Sequence, residues 1–234
     1  MESRTMVYSG SYREATIRRG YMTGVFGWMA IALIITGLVV TWMSRTTSVI
    51  NLMLNNRALF IILFILEIVV VTGITFFLNR LSITGAVLLF IGYAFLNGVT
   101  FSALFYIFTF RSVAQAFYIT AGTFGLVSIY GYVTRSDLSR WGNMMGVLLI
   151  GLLIATLVNF FMQSSLFDWV ISYAGIFIFM ALTAYDVQKI RVFSERASID
   201  RQPWPKSAIF GALLLYLDFI NLFLFFLRIF GARR

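Results

Sequence analysis

The chain of 234 residues contains no cysteine, no histidine and only two prolines. Without cysteine there is no disulfide, no thiolate nucleophile and no iron–sulfur cluster. Without histidine the usual general base, the commonest zinc ligand and the near-neutral pH switch are gone. Any bound metal must be held by oxygen, which favours hard ions such as calcium or magnesium. Any pH sensing falls to carboxylates in unusual surroundings. Charge is scarce as well: 12% of residues are charged and 60% are hydrophobic, where a soluble domain carries about 25% charged residues. An aqueous globule cannot hide so much apolar surface, so a soluble enzyme and a disordered chain are both excluded. The composition is that of an all-α, polytopic membrane protein whose first partner is the lipid bilayer.

The net charge of +9 does not point to nucleic acid. The arginines and lysines are scattered through short loops and tails, where membrane orientation explains them. Residues 1–20 are polar and carry Arg4, Arg13, Arg18 and Arg19. They read as a tail rather than a signal peptide. The apolar stretch that follows, Tyr21 to Met43, is too long for an h-region and lacks a small-residue cleavage site.

A helix needs about 20 apolar residues to cross roughly 30 Å of hydrocarbon. That rule predicts seven spans within 21–230, at 21–43, 58–78, 85–109, 114–134, 143–163, 168–187 and 207–229. The segment 188–206 reads as a basic loop holding both prolines, Pro203 and Pro205. Seven spans place twelve of the arginines and lysines on the N-terminal side and six on the other. The positive-inside rule then predicts a cytoplasmic N-terminus and an external C-terminus. Small residues such as Gly20, Gly24 and Gly27, or Gly142 and Gly146, predict close helix approach. Asn97, Asn159 and Asn221 read as hydrogen-bond partners between helices.

Only nine residues are acidic. Asp168 opens the sixth span and suits a helix N-terminus. Glu67, Asp186 and Asp218 fall inside apolar runs. An ionised acid at mid-bilayer costs on the order of 3 kcal/mol, so such groups face a cavity, pair, or stay protonated. Spans six and seven are consecutive, and the rise of a helix allows Asp186 and Asp218 to reach similar depth. Two carboxylates in contact cannot both ionise cheaply and tend to share one proton. That arrangement makes a pH-sensitive latch without histidine.

Several chemistries drop out. The only lysines are Lys189 and Lys206, outside the spans, so a retinal Schiff base has no anchor. No Walker A, HExxH or GxSxG motif occurs. An intramembrane aspartyl protease is half matched by Tyr185-Asp186, but Asp218 lies in YLDFIN with no glycine motif. No enzymatic activity and no tightly bound cofactor is expected.

The run Leu217-Asp218-Phe219-Ile220-Asn221-Leu222-Phe223, followed by Leu227-Arg228, resembles the last-span signature of the Bax inhibitor-1 (transmembrane Bax inhibitor motif) family. Tyr185-Asp186 followed by Lys189 resembles its sixth-span motif, and Glu67 in ILEIVV its second-span acid. The tail leading into Gly27-Trp28-Met29 resembles bacterial members. The resemblance implies seven transmembrane helices with the last surrounded by the other six. It implies a pH-dependent calcium leak, with Asp186 and Asp218 as the proton-sharing latch and Glu67 on the ion path. It also implies an arginine beside the latch, for which Arg80 is the candidate. Calcium prefers six to eight oxygens. Glu67, Asp186 and Asp218 together could therefore give only a weak, hydrated site, which suits a leak that must release its ions. Some bacterial members instead modulate a membrane-bound AAA protease. A proton-coupled exchanger using the same acids is a third expectation, and a bacterial inner membrane is the expected location.

Overall fold

The computed structural model describes residues 2–46, 56–77, 80–200 and 205–232. Seven long helices account for nearly all of them: α1 (Glu2–Ser44), α2 (Arg57–Phe77), α3 (Ile83–Ser102), α5 (Phe110–Val133), α6 (Ser139–Met162), α7 (Ser165–Asp200) and α8 (Pro205–Phe230). A four-residue turn, α4 (Leu104–Ile107), follows α3. No strand occurs among the described residues. Helix is the fold that apolar runs dictate in lipid, because it pairs every backbone amide and carbonyl within the segment. Six helices are long and apolar enough to cross a bilayer, and α2 adds a shorter apolar stretch, Ile61–Phe77. The protein is thus an all-α, multi-pass membrane protein.

The helix ends follow local chemistry. Ser82 Oγ accepts the Gly85 amide at 3.0 Å and starts α3. Thr109 Oγ1 accepts the Ser112 amide at 3.3 Å and starts α5. Asp137 Oδ1 accepts the Ser139 amide at 2.9 Å before α6. Those Ser139 hydrogen bonds, helped by Arg140, hold the exposed Asp137 carboxyl below its usual range. Gln163 ends α6 in the left-handed region at φ 52°. Pro205 opens α8, where its missing amide proton costs nothing.

Two expected boundaries move. The polar stretch 1–20 is helical from Glu2 onward and continues into the first span as α1. The segment read as a loop from residue 188 is helical through Asp200. Arg191 and Glu195, four apart, face each other at 3.7 Å on one side of this extension, a pairing worth about 0.2–0.5 kcal/mol to a helix. The predicted third span stands as Ile83–Ile107, with a turn at Ala103 between α3, which ends at Ser102, and α4.

The chain forms two compact units. One combines Met1–Ile107 with Arg191–Leu213. In it α1 and α2 both pack on α3. Gly98 permits the close crossing of α1 and α3, since a Cβ there would meet Val39 and the Thr36 carbonyl. Thr36 Oγ1 bonds the Ala94 carbonyl across that crossing at 2.9 Å. At the end of α7, Arg18 lies 3.9 Å from Glu195.

The other unit combines Phe108–Ile190 with Leu214–Arg234. Its core is aromatic, with the Phe219 ring edge-on to Phe117 at 5.6 Å and to Phe124 at 5.5 Å. Gly131 on α5 lies against the backbone of Ala184, Gly142 on α6 under the Tyr185 ring, and Gly175 on α7 under the Phe225 ring. Lipid tails are as apolar as leucine, so such close contact, not water exclusion, holds helices together in a membrane. Gln188 clamps the α5–α6 connection, donating to the Ser136 carbonyl at 2.8 Å and accepting the Leu138 amide at 2.9 Å.

Among the six candidate spans α8 is the most enclosed, with 67% of its apolar window buried against 17–50% in the others. At the other extreme is α6, whose exposed Val147, Ile150, Leu153 and Phe160 suit lipid and not water.

Candidate functional site

The three acids predicted from the apolar runs occupy two places. Glu67 lies halfway along α2 in the first unit. Its neighbours Leu66 and Ile68 are exposed, whereas Glu67 is only 9% exposed. Thr100 on α3 donates its hydroxyl proton to Glu67 Oε1 at 2.6 Å. That length is typical of a hydroxyl on a carboxylate. Helix spacing thus turns Glu67 inward, onto α3, and away from the lipid-facing side of α2.

Asp186 and Asp218 lie together in the second unit. Asp186 is half-buried on α7, and Asp218 on α8 is 4% exposed. They are close enough for each charge to act on the other, and Lys189 acts on Asp186 from one turn further along α7. Lys189 itself is exposed, with its Nζ 5.6 Å from the Tyr185 ring centre.

Thr183 completes the pair. Its side chain is hydrogen-bonded to Asp218. The same hydroxyl donates to the Phe179 carbonyl at 2.7 Å. A hydroxyl has one proton to give. A protonated Asp218 donates to Thr183 and leaves the Phe179 bond intact. An ionised Asp218 competes with Phe179 for that single proton.

Sequence reading did not single out Thr183 or Thr100. Thr183 stands three residues before Asp186 and so shares its helix face, which was a usable signal. Thr100 has no such signal, because its partner lies on another helix. Arg80 is exposed in the turn after α2 and belongs to the first unit, whereas the aspartates belong to the second.

Other expectations are corrected. Asn97 donates to the Tyr93 carbonyl, Asn221 to the Leu217 carbonyl, and Asn159 accepts the Ser164 amide. All three bonds are local to a helix or its end, not between helices. A short amide reaches its own preceding turn more readily than a neighbouring helix. Gly142 does sit in close contact, but Gly27 and Gly146 face open space. Asp168 lies in the first turn of α7 as expected, and it also forms a 3.4 Å ion pair with Arg228. Arg228 in turn lies over the Phe225 ring at 5.6 Å. Among the described residues no three acidic side chains are grouped to hold a metal ion.

Known proteins match nearly the whole of the chain. The family model described as "Inhibitor of apoptosis-promoting Bax1" matches residues 18–234. The chain is similar to the Inner membrane protein YbhL of Escherichia coli, 42% identical over 215 residues and 92% of each chain. It is also similar to a protein of Borreliella burgdorferi, 39% identical over 222 residues, 95% of this chain and 96% of the other. A third, the protein YrjE of Lactococcus lactis, is 34% identical over 215 residues and 90% of each chain. The chain belongs to the Bax inhibitor-1 family of membrane proteins.

Proposed function

We propose that this protein is a pH-regulated calcium leak channel in which Asp186 and Asp218 form a proton-sharing latch. The observation that supports it most is the pairing itself: an almost fully buried Asp218 within reach of the charge on Asp186. With one proton shared between them the pair carries a single negative charge, and α8 rests against α7 without repulsion. Loss of that proton puts two negative charges in near contact. At an effective dielectric of about 20 and roughly 4 Å, the repulsion is about 4 kcal/mol. That shifts a two-state equilibrium about a thousandfold. Glu67 offers an inward-facing carboxylate on the path, and calcium passes the acids as a hydrated ion, not in a cage. The name of the E. coli relative supports a bacterial inner membrane, with the N-terminus cytoplasmic by the positive-inside rule.

The deciding experiment is calcium entry into liposomes that hold only this protein. Flux that depends on pH and on Asp218 supports the leak. Flux that strictly requires a proton gradient makes the protein an exchanger. No flux, with a stable complex with a membrane-bound protease recovered from membranes, makes it a non-conducting regulator.

A further inference from the structure

Two buried side-chain oxygens of the second unit lack a hydrogen-bond partner among the described residues: Ser128 Oγ and Asp218 Oδ2. Ser128 is 7% exposed and Asp218 4%. The helix packing brings them into one neighbourhood. The buried face of α5 runs through Thr120, Phe124, Ser128 and Gly131. One turn before Ser128, the Phe124 ring meets Phe219, the residue after Asp218. Three residues after Ser128, Gly131 lies against the backbone of Ala184. Ala184 follows Thr183, which bonds Asp218. Ser128 is therefore bracketed along α5 by the two contacts that flank Asp218.

Buried polar atoms in folded proteins nearly always have a partner, in many cases an ordered water that makes two to four hydrogen bonds. We infer that Ser128 and Asp218 bind a water molecule between them, which makes Ser128 a positioning residue of the aspartate site. The water accepts or donates at Ser128 Oγ and contacts Asp218 Oδ2, the oxygen that Thr183 leaves free. It gives the Asp218 carboxyl a route for its proton other than Asp186. The charged groups facing this place are Asp186 from α7 and, beyond it, Lys189. Asn221 adds an amide on α8, already given to the Leu217 carbonyl.

The inference deepens the latch reading but is tested apart from conduction. The full-length protein is reconstituted in liposomes and its infrared spectrum recorded. Asp218→Asn identifies the Asp218 bands, the carbonyl stretch if the group is protonated or the carboxylate stretch if it is ionised. Heavy-oxygen water identifies bands of bound water. The expected result is that Ser128→Ala shifts the Asp218 band and removes a bound-water band, while Ser128→Thr keeps both. An Asp218 band unmoved by Ser128→Ala, or wild-type protein with no bound-water band that depends on Asp218, overturns the inference. Absent calcium flux sinks the leak reading and leaves the infrared outcome readable in either protonation state.

Discussion

Thr183 and Asp218 share a hydrogen bond that the Phe179 carbonyl also competes for, since Thr183 donates to that carbonyl at 2.7 Å. One hydroxyl proton thus links a backbone carbonyl of α7 to a carboxyl of α8. Thr183→Val keeps the shape and removes the hydroxyl. It should destabilise the protein by about 1–3 kcal/mol, the cost of leaving a buried acceptor unpaired. Thr183→Ser should cost much less. Thermal unfolding of the two variants in detergent checks this, and equal melting temperatures for both would refute it.

The latch itself makes a coupled prediction. Asp186→Asn and Asp218→Asn each retain a hydrogen-bonding side chain but abolish the shared titration. Each single variant should lose most of the pH dependence of calcium flux, and the double variant should lose little more. Two single variants with a wild-type pH response, or effects that simply add, would show that the residues do not act as a pair.

Glu67→Gln preserves size and keeps an acceptor for the Thr100 hydroxyl. The fold should therefore survive with a melting temperature close to that of the wild type. Calcium flux into liposomes should fall, because the carboxylate charge is gone. Undiminished flux would reduce Glu67 to a packing residue of the α2–α3 contact.

Two glycines give opposite expectations. Gly131→Ala drives a methyl into the Ala184 backbone and should cost about 1–3 kcal/mol through overpacking. Gly146→Ala meets open space and should be neutral or stabilising by up to about 1 kcal/mol, the helix-propensity difference. Unfolding curves in the same detergent rank them. A reversed order would contradict the packing of α5 on α7.

Orientation is checked with reporters. One fused after Arg234 should behave as external, and one near Arg196 as cytoplasmic. The opposite pattern would overturn both the orientation and the number of crossings.

Much of the fold was legible in one dimension. Runs of about 20 apolar residues leave the backbone no alternative to helix in lipid, so helix type and order were determined by composition. The same logic exposed Glu67, Asp186 and Asp218, because an acid inside such a run is conspicuous for its cost. Helix ends were less legible. The extension of α7 to Asp200 rests on polar residues that favour helix without being apolar, and hydrophobicity is blind to them.

What only the tertiary structure decided was partnership. Asp218 finds Asp186 and Thr183, Glu67 finds Thr100, and Asp168 finds Arg228, each on a different helix. The asparagines instead turned back on their own helices or helix ends. Periodicity states which side of a helix a residue occupies, but not which neighbour that side will meet. Neighbours are selected where helices can approach closely, as at Gly98, Gly131 and Gly175. Those contacts are a property of two surfaces together, and neither surface alone encodes them.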